Sequence, residues 1–213
     1  LVGSEMCIRD SSIALLIQAL LFGDGGILAF GANCFNMAFI LPYLGFFLYK
    51  LLLKKTGMRK LSAAISSYIG INAAAFCAAV EFGIQPLLFK NAEGQALYCP
   101  YPLSVSIPAM MIGHITLFGL AEIILTVVVL TFVEKVTPKA LDAVPDKTAF
   151  KPLYILMAVL IVLTPLGLLA TGTAWGEWGA DEIAGLVSGG SQLGYTPSGM
   201  TNGFELSTLF PDY

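Results

Sequence analysis

The stretch IPAMMIGHITLFGLAEIILTVVVLTFV, residues 107–133, decides the fold class. Its length exceeds the roughly 20 apolar residues that an α-helix needs to cross the hydrocarbon core of a bilayer. Only two ionisable groups interrupt it: His114, the chain's single histidine, and Glu122. Similar apolar runs lie at 32–53, 61–89 and 154–169, with a shorter one at 13–22. Of the 213 residues, 57% are hydrophobic and 12% charged, and the mean hydropathy is +0.82. A soluble domain carries about 25% charged residues, so this chain lacks the polar surface to cover a water-exposed globule. The expected fold is an all-α, polytopic transmembrane helical bundle, and no nucleic-acid partner is expected.

The net charge of −3 matters less than where the charges sit. Leaving Arg9 aside, nine of ten Lys and Arg fall in two short loops. One holds Lys50, Lys54, Lys55, Arg59 and Lys60, and the other Lys135, Lys139, Lys147 and Lys151. Cytoplasmic loops of membrane proteins carry an excess of Lys and Arg. Loops 50–60 and 134–151 are therefore expected on the cytoplasmic side of the cell inner membrane. The acidic tail (Glu177, Asp181, Glu182, Glu205, Asp212) is expected outside. Pro42 should kink the second run, and Trp175 and Trp178 follow the last run as an interfacial aromatic belt would.

Three divisions follow. Residues 1–10, LVGSEMCIRD, are mixed in polarity and resemble the translated adaptor tails of fragmentary sequencing reads, so they are set apart. Residues 11–170 form the transmembrane domain, about five spans of a larger bundle. Residues 171–213 form an extracytoplasmic tail.

Several chemistries are missing from the sequence. There is no G-x-x-x-x-G-K-[ST] phosphate loop and no H-E-x-x-H zinc motif. Cys7, Cys34, Cys77 and Cys99 show no C-x-x-C spacing. His114 and Glu122 are eight positions apart, about 12 Å of helical rise and roughly 80° of rotation, too far to share one ion. At membrane depth each is a functional candidate, and for His114 a plain hydrogen bond to a neighbouring helix near the membrane surface stands beside that reading. The stretch GANCFNM, 31–37, places Asn33, Asn36 and Met37 at i, i+3 and i+4, expected to face inward as glue between helices or as ligand contacts.

Taken together, LLIQALLFGDGGILAFGANCFNMAF, GHITLFGLAEIILT, PLGLLATGTAWGEWGADE and the closing FPDY resemble the CbiM/NikM-type substrate-capture subunit of cobalt and nickel energy-coupling-factor transporters. The resemblance implies an all-helical, non-enzymatic subunit with no cofactor of its own, and Co²⁺ or Ni²⁺ as its cargo. It implies partners: a transmembrane coupling subunit and ABC-type ATPase subunits. In that family the ion is held by the free N-terminal amine, the histidine next to it, and a later histidine ahead of the block that opens this sequence. Those ligands have no counterpart here, so no metal ligand is assigned and the N-terminal part is expected to be missing. Asn33, Asn36, Met37, His114 and Glu122 match family positions and are expected to support the pocket. TAWGEWG and the long tail look more like the cobalt branch. The competing expectations are an intramembrane enzyme using His114 and Glu122 in acid–base chemistry, or a proton-coupled transporter using Glu81 and Glu122. Glu81, late in its span, is read as an interfacial residue.

Overall fold

A computed structural model describes residues 2–22 and 29–141, with isolated positions 155, 195, 197 and 198. These residues form four long helices, α1 (Val2–Phe22), α2 (Phe30–Thr56), α3 (Arg59–Leu88) and α4 (Leu103–Val136), and a short 3-10 turn at Pro138–Leu141. Among the described residues α2, α3 and α4 are long and apolar enough to cross a membrane, and no strand is present. The chain is a multi-pass membrane protein of all-α architecture. The expected runs at 32–53, 61–89 and 107–133 correspond to α2, α3 and α4, each a few residues displaced at its ends. The run at 13–22 is the second half of α1, whose first half is built from residues 2–10. The run at 154–169, Trp175, Trp178 and most of the acidic tail lie outside the described residues.

Helix α3 is the middle of the bundle, packed against α2 on one side and α4 on the other. Its sequence explains why. Ser62, Ser66, Gly70 and Ala74, then Ala75, Ala79 and Gly83, form a four-residue ladder of small side chains, and all are buried. Lipid tails are as apolar as leucine, so helices in a bilayer associate through close packing at small residues and through hydrogen bonds. Both operate here. A Cβ on Gly70 would lie 3.2 Å from the Leu41 carbonyl oxygen of α2, and one on Gly83 would collide with the Ser106 hydroxyl of α4. The Ser106 hydroxyl donates to the Ala79 carbonyl at 2.8 Å.

The α2–α3 turn is a tight one. Gly57 takes φ of +67° and donates its N–H to the Leu53 carbonyl at 2.9 Å, the left-handed cap that glycine adopts without penalty. Lys54 and Lys55 sit in the last turn of α2, where cations complement the helix dipole. At the start of α3, Arg59 and Lys60 reach Glu134, near the end of α4, at 3.9 and 3.5 Å. Exposed pairs of this kind contribute about 0–1 kcal/mol. Their value here is geometric: they place the two basic loops at the same end of the bundle.

The opposite end carries a short turn between α3 and α4. Lys90 bridges Ala96 in antiparallel fashion, and Gly94 adopts φ of +80° at the tip. The Ala96 N–H donates to the Tyr195 hydroxyl at 3.0 Å, which fixes this tail residue at the end away from the basic loops. Burial pushes the Cys99 thiol above its ordinary range, against a smaller opposing effect of its hydrogen bond to the Tyr101 carbonyl, so the neutral thiol is favoured over the thiolate.

Candidate functional site

Residues Cys34–Ile40 of α2 and His114–Phe118 of α4 are π-helical. Such segments bond i→i+5 instead of i→i+4, are rare, and frequently mark functional sites. Both fall on the stretches whose polar residues stand out in the sequence.

In α2 the cause is local. The Leu41 N–H bonds to the Asn36 carbonyl, and the next residue, Pro42, has no N–H to give. The change of register back to α therefore falls where a backbone bond is missing in any case. Instead of a simple kink, Pro42 closes a π segment. That segment turns Asn36 inward, 4% exposed, and its amide Nδ2 donates to Glu81 Oε2 of α3 at 2.8 Å. The side-chain amide oxygen of Asn36, Oδ1, is buried with no hydrogen-bond partner among the described residues. An unmet buried acceptor costs about 1–3 kcal/mol, and such a group in a native fold calls for an explanation.

The three residues expected on one inward face do not share it. Asn33 is half-buried and engaged in an interaction, while Met37 is 46% exposed. Phe35 and Phe39 are exposed as well, and Phe35, Phe39 and Tyr43 stack in sequence at 6.0 and 5.5 Å between ring centroids. The i, i+3, i+4 spacing assumes α periodicity, and the wider turn breaks it.

In α4, the half-buried His114 places Nδ1 2.9 Å from the Met110 carbonyl and its ring 5.1 Å from Phe118. A carbonyl only accepts, so Nδ1 carries the proton in this bond. In the neutral ring that leaves Nε2 as the lone-pair nitrogen, the form able to accept a hydrogen bond or bind a metal. The π segment is held from α3: the Tyr68 hydroxyl donates to the Ile115 carbonyl at 2.9 Å. Gly119 makes room for that ring, since a Cβ there would lie 2.6 Å from Tyr68 Cε2.

Glu122 is separate. Its Oε1 accepts from Thr126 one turn on, at 3.2 Å, within α4. It lines a cleft of about 460 Å³ with Tyr49, Ala63, Thr126, Val133 and Leu141 among its walls, otherwise almost wholly apolar. His114 and Glu122 each bond within their own helix. Among the described residues no three His, Cys, Asp or Glu side chains cluster to hold a metal.

Two residues enter the site beyond those expected to support the pocket. Glu81, read as interfacial, is the partner of Asn36. Its position among Ala78, Ala79 and Val80 was the available sign, since an ionisable group inside an apolar span usually faces the bundle. Tyr68 has no such sign, because a tyrosine in a span is equally at home facing lipid.

Comparison with known proteins completes the picture. Residues 1–140 match the family described as the CbiM cobalt uptake substrate-specific transmembrane region. The chain belongs to the CbiM family. Residues 151–213 match a second family, the PDGLE domain, so the CbiM match and the PDGLE match meet in the second basic loop. The chain is 45% identical over 213 residues to the probable fused nickel transport protein LarMN of Lactiplantibacillus plantarum, covering 100% of this chain and 65% of that protein. It is 43% identical over 232 aligned positions to the fused nickel transport protein NikMN of Rhodobacter capsulatus, covering 100% and 66%. It thus spans just under two thirds of the length of each relative. A crystal structure described as a truncated transition metal transporter aligns with a TM-score of 0.60 at 52% identity, over 62% of each chain. The CbiM match takes in residues 1–10 as well.

Proposed function

We propose that this chain is the substrate-capture part of an ATP-driven importer of divalent transition metal, with Ni²⁺ as the favoured cargo and Co²⁺ as the second. The observation that carries this reading is that relatives named for nickel transport match this chain over its whole length, across both its CbiM and its PDGLE regions. That favours nickel over the cobalt branch suggested by TAWGEWG. Because the sequence has no phosphate loop, the reading assigns ATP to separate ABC-type subunits, working through a transmembrane coupling subunit.

In this reading the described residues shape the metal pocket without enclosing the ion. Co²⁺ and Ni²⁺ favour several nitrogen ligands, and one imidazole, His114, cannot supply them. Asn36 and Glu81 support the pocket from α2 and α3, alongside Asn33, while His114 presents Nε2 from α4. A metal-bound imidazole commonly donates its second N–H to a carboxylate or carbonyl, and the unmet Asn36 oxygen is an acceptor of that kind. Met37 takes no part from its exposed position. Glu122 contributes through the helix junction it lines.

The test is accumulation of radioactive nickel by cells producing the full-length protein with its partner subunits. Uptake should be ATPase-dependent and reduced by excess cobalt, and an absence of metal accumulation overturns the reading. The orientation belongs to the same proposal, with the two basic loops cytoplasmic. In a background without native cysteines, Lys55→Cys should resist an impermeant thiol reagent added outside cells, while Glu93→Cys should react. Labelling with the opposite pattern reverses the topology.

A further inference from the structure

The cleft beside Glu122 is lined from α2, α3 and α4 and reaches Leu141 at the basic end of the bundle. We propose that it seats one acyl chain of an anionic phospholipid, whose phosphate is held at the mouth by Arg59 and Lys60.

The walls call for hydrocarbon. Ala63 of α3 and Tyr49 of α2 line the cleft together with Leu125, Val129, Leu130 and Val133 along α4. The polar side chains that α4 contributes, Glu122 and Thr126, are bonded to each other at 3.2 Å. Among the described residues, no buried polar side-chain atom of the cleft lacks a partner. An acyl chain lying there leaves nothing unmet. The length also fits. From Glu122 to Val133 the rise along α4 is about 16 Å, close to one leaflet of a hydrocarbon core about 30 Å thick.

The mouth supplies the charge. Arg59 and Lys60 lie four and three residues before Ala63, on the same face of α3 and one turn nearer its end. Both reach Glu134, the residue after Val133, at 3.9 and 3.5 Å, with side chains 47 and 50% exposed. Two cations share one carboxylate, so one positive charge is left over. Lys139 adds another from the turn whose Leu141 lines the cleft. Over 54–60 and 133–141 six Lys and Arg stand against a single acid. Basic pockets between membrane helices hold anionic headgroups, and an arginine meets a phosphate with two parallel N–H bonds. The groove alone would select no lipid, because bilayer chains are as apolar as its walls. Selection comes from the headgroup and placement from the groove.

Native mass spectrometry of the full-length protein, stripped of lipid in detergent, tests this with two probes of identical chains. Phosphatidylglycerol should be retained as one tightly held molecule, and phosphatidylcholine should not. Replacing both cations (Arg59→Gln with Lys60→Gln) should weaken phosphatidylglycerol binding by about tenfold or more, since charged hydrogen bonds to the phosphate are lost. Val129→Trp narrows the groove at a half-exposed position and leaves the cations in place, so it reports on the chain separately from the headgroup. It should weaken binding as well. Equal retention of the two lipids, or no retained lipid, overturns the proposal. Unchanged binding in Val129→Trp puts the chain outside the groove and overturns it too. Free glycerol phosphate should not displace the lipid, and displacement would reduce the site to a surface anion site and overturn it equally.

Discussion

Valine in place of Gly119 should lower the melting temperature of the detergent-solubilised protein by about 5–15 °C. A Cβ at this position would lie 2.5 Å from the His114 carbonyl oxygen and 2.6 Å from the Tyr68 ring. The first contact is with backbone inside the π segment and cannot be relieved by a rotamer change. The second forces Tyr68 away from the Ile115 carbonyl that it bonds at 2.9 Å. Overpacking costs about 1–3 kcal/mol, and the lost hydrogen bond roughly 0.5–1.5 kcal/mol more. In a chain of this size each kcal/mol is worth about 2–4 °C. Tyr68→Ala added to Gly119→Val should recover only the ring's share. A Gly119→Val protein melting like the parent would show that α3 and α4 do not meet closely there.

The second large effect concerns Asn36 and Glu81. Asn36→Leu removes the amide that donates to Glu81 Oε2 and leaves the half-buried carboxyl group without that partner. The expected loss is about 1–3 kcal/mol, greater when the group left behind is charged. Glu81→Leu alone should cost a similar amount, because the Asn36 amide is then orphaned in a site that is 4% exposed. Replacing both residues by leucine should restore most of the stability, since an apolar pair of similar shape leaves nothing unmet. Denaturation of the two single variants and the double variant measures this coupling directly. Additive losses would show that the bond contributes nothing. A double variant that is stable yet takes up no metal would separate a pocket role from a packing role.

The parts of this protein that were legible in its sequence are those set by bulk chemistry. Long apolar runs located α2, α3 and α4 to within a few residues, and the lysine-rich loops were expected at one end, where the Glu134 ion pairs place them. The ordered blocks were enough to indicate the family. The site was legible only in part. Asn36 and His114 stood out as polar groups in apolar surroundings, but nothing in residue spacing announces an i→i+5 turn, so an exposed Met37 beside a buried Asn36 was not foreseen. Glu81 looked interfacial because its distance from the end of the apolar run was considered without the helix packed against it. Contact across helices is a property of three dimensions, and the Asn36–Glu81 pair is 45 positions apart in sequence.

The π segment in α4 also sets the rotational phase of everything that follows it. An i→i+5 turn absorbs one residue more than an α turn does. If 114–118 were regular α-helix, every later side chain would swing about 100° around the axis and shift 1.5 Å along it. Glu122, Thr126 and Val133 would then leave the cleft together. Shortening the segment by one residue, at the exposed Thr116 or Leu117, would cancel the extra turn and keep those three residues in their present direction. A deletion after Glu122 has no such slack and would rotate Thr126 and Val133 out of register with it. The surplus residue works as a vernier: the two halves of one helix are aimed independently, and chain length there can change without re-aiming the cleft.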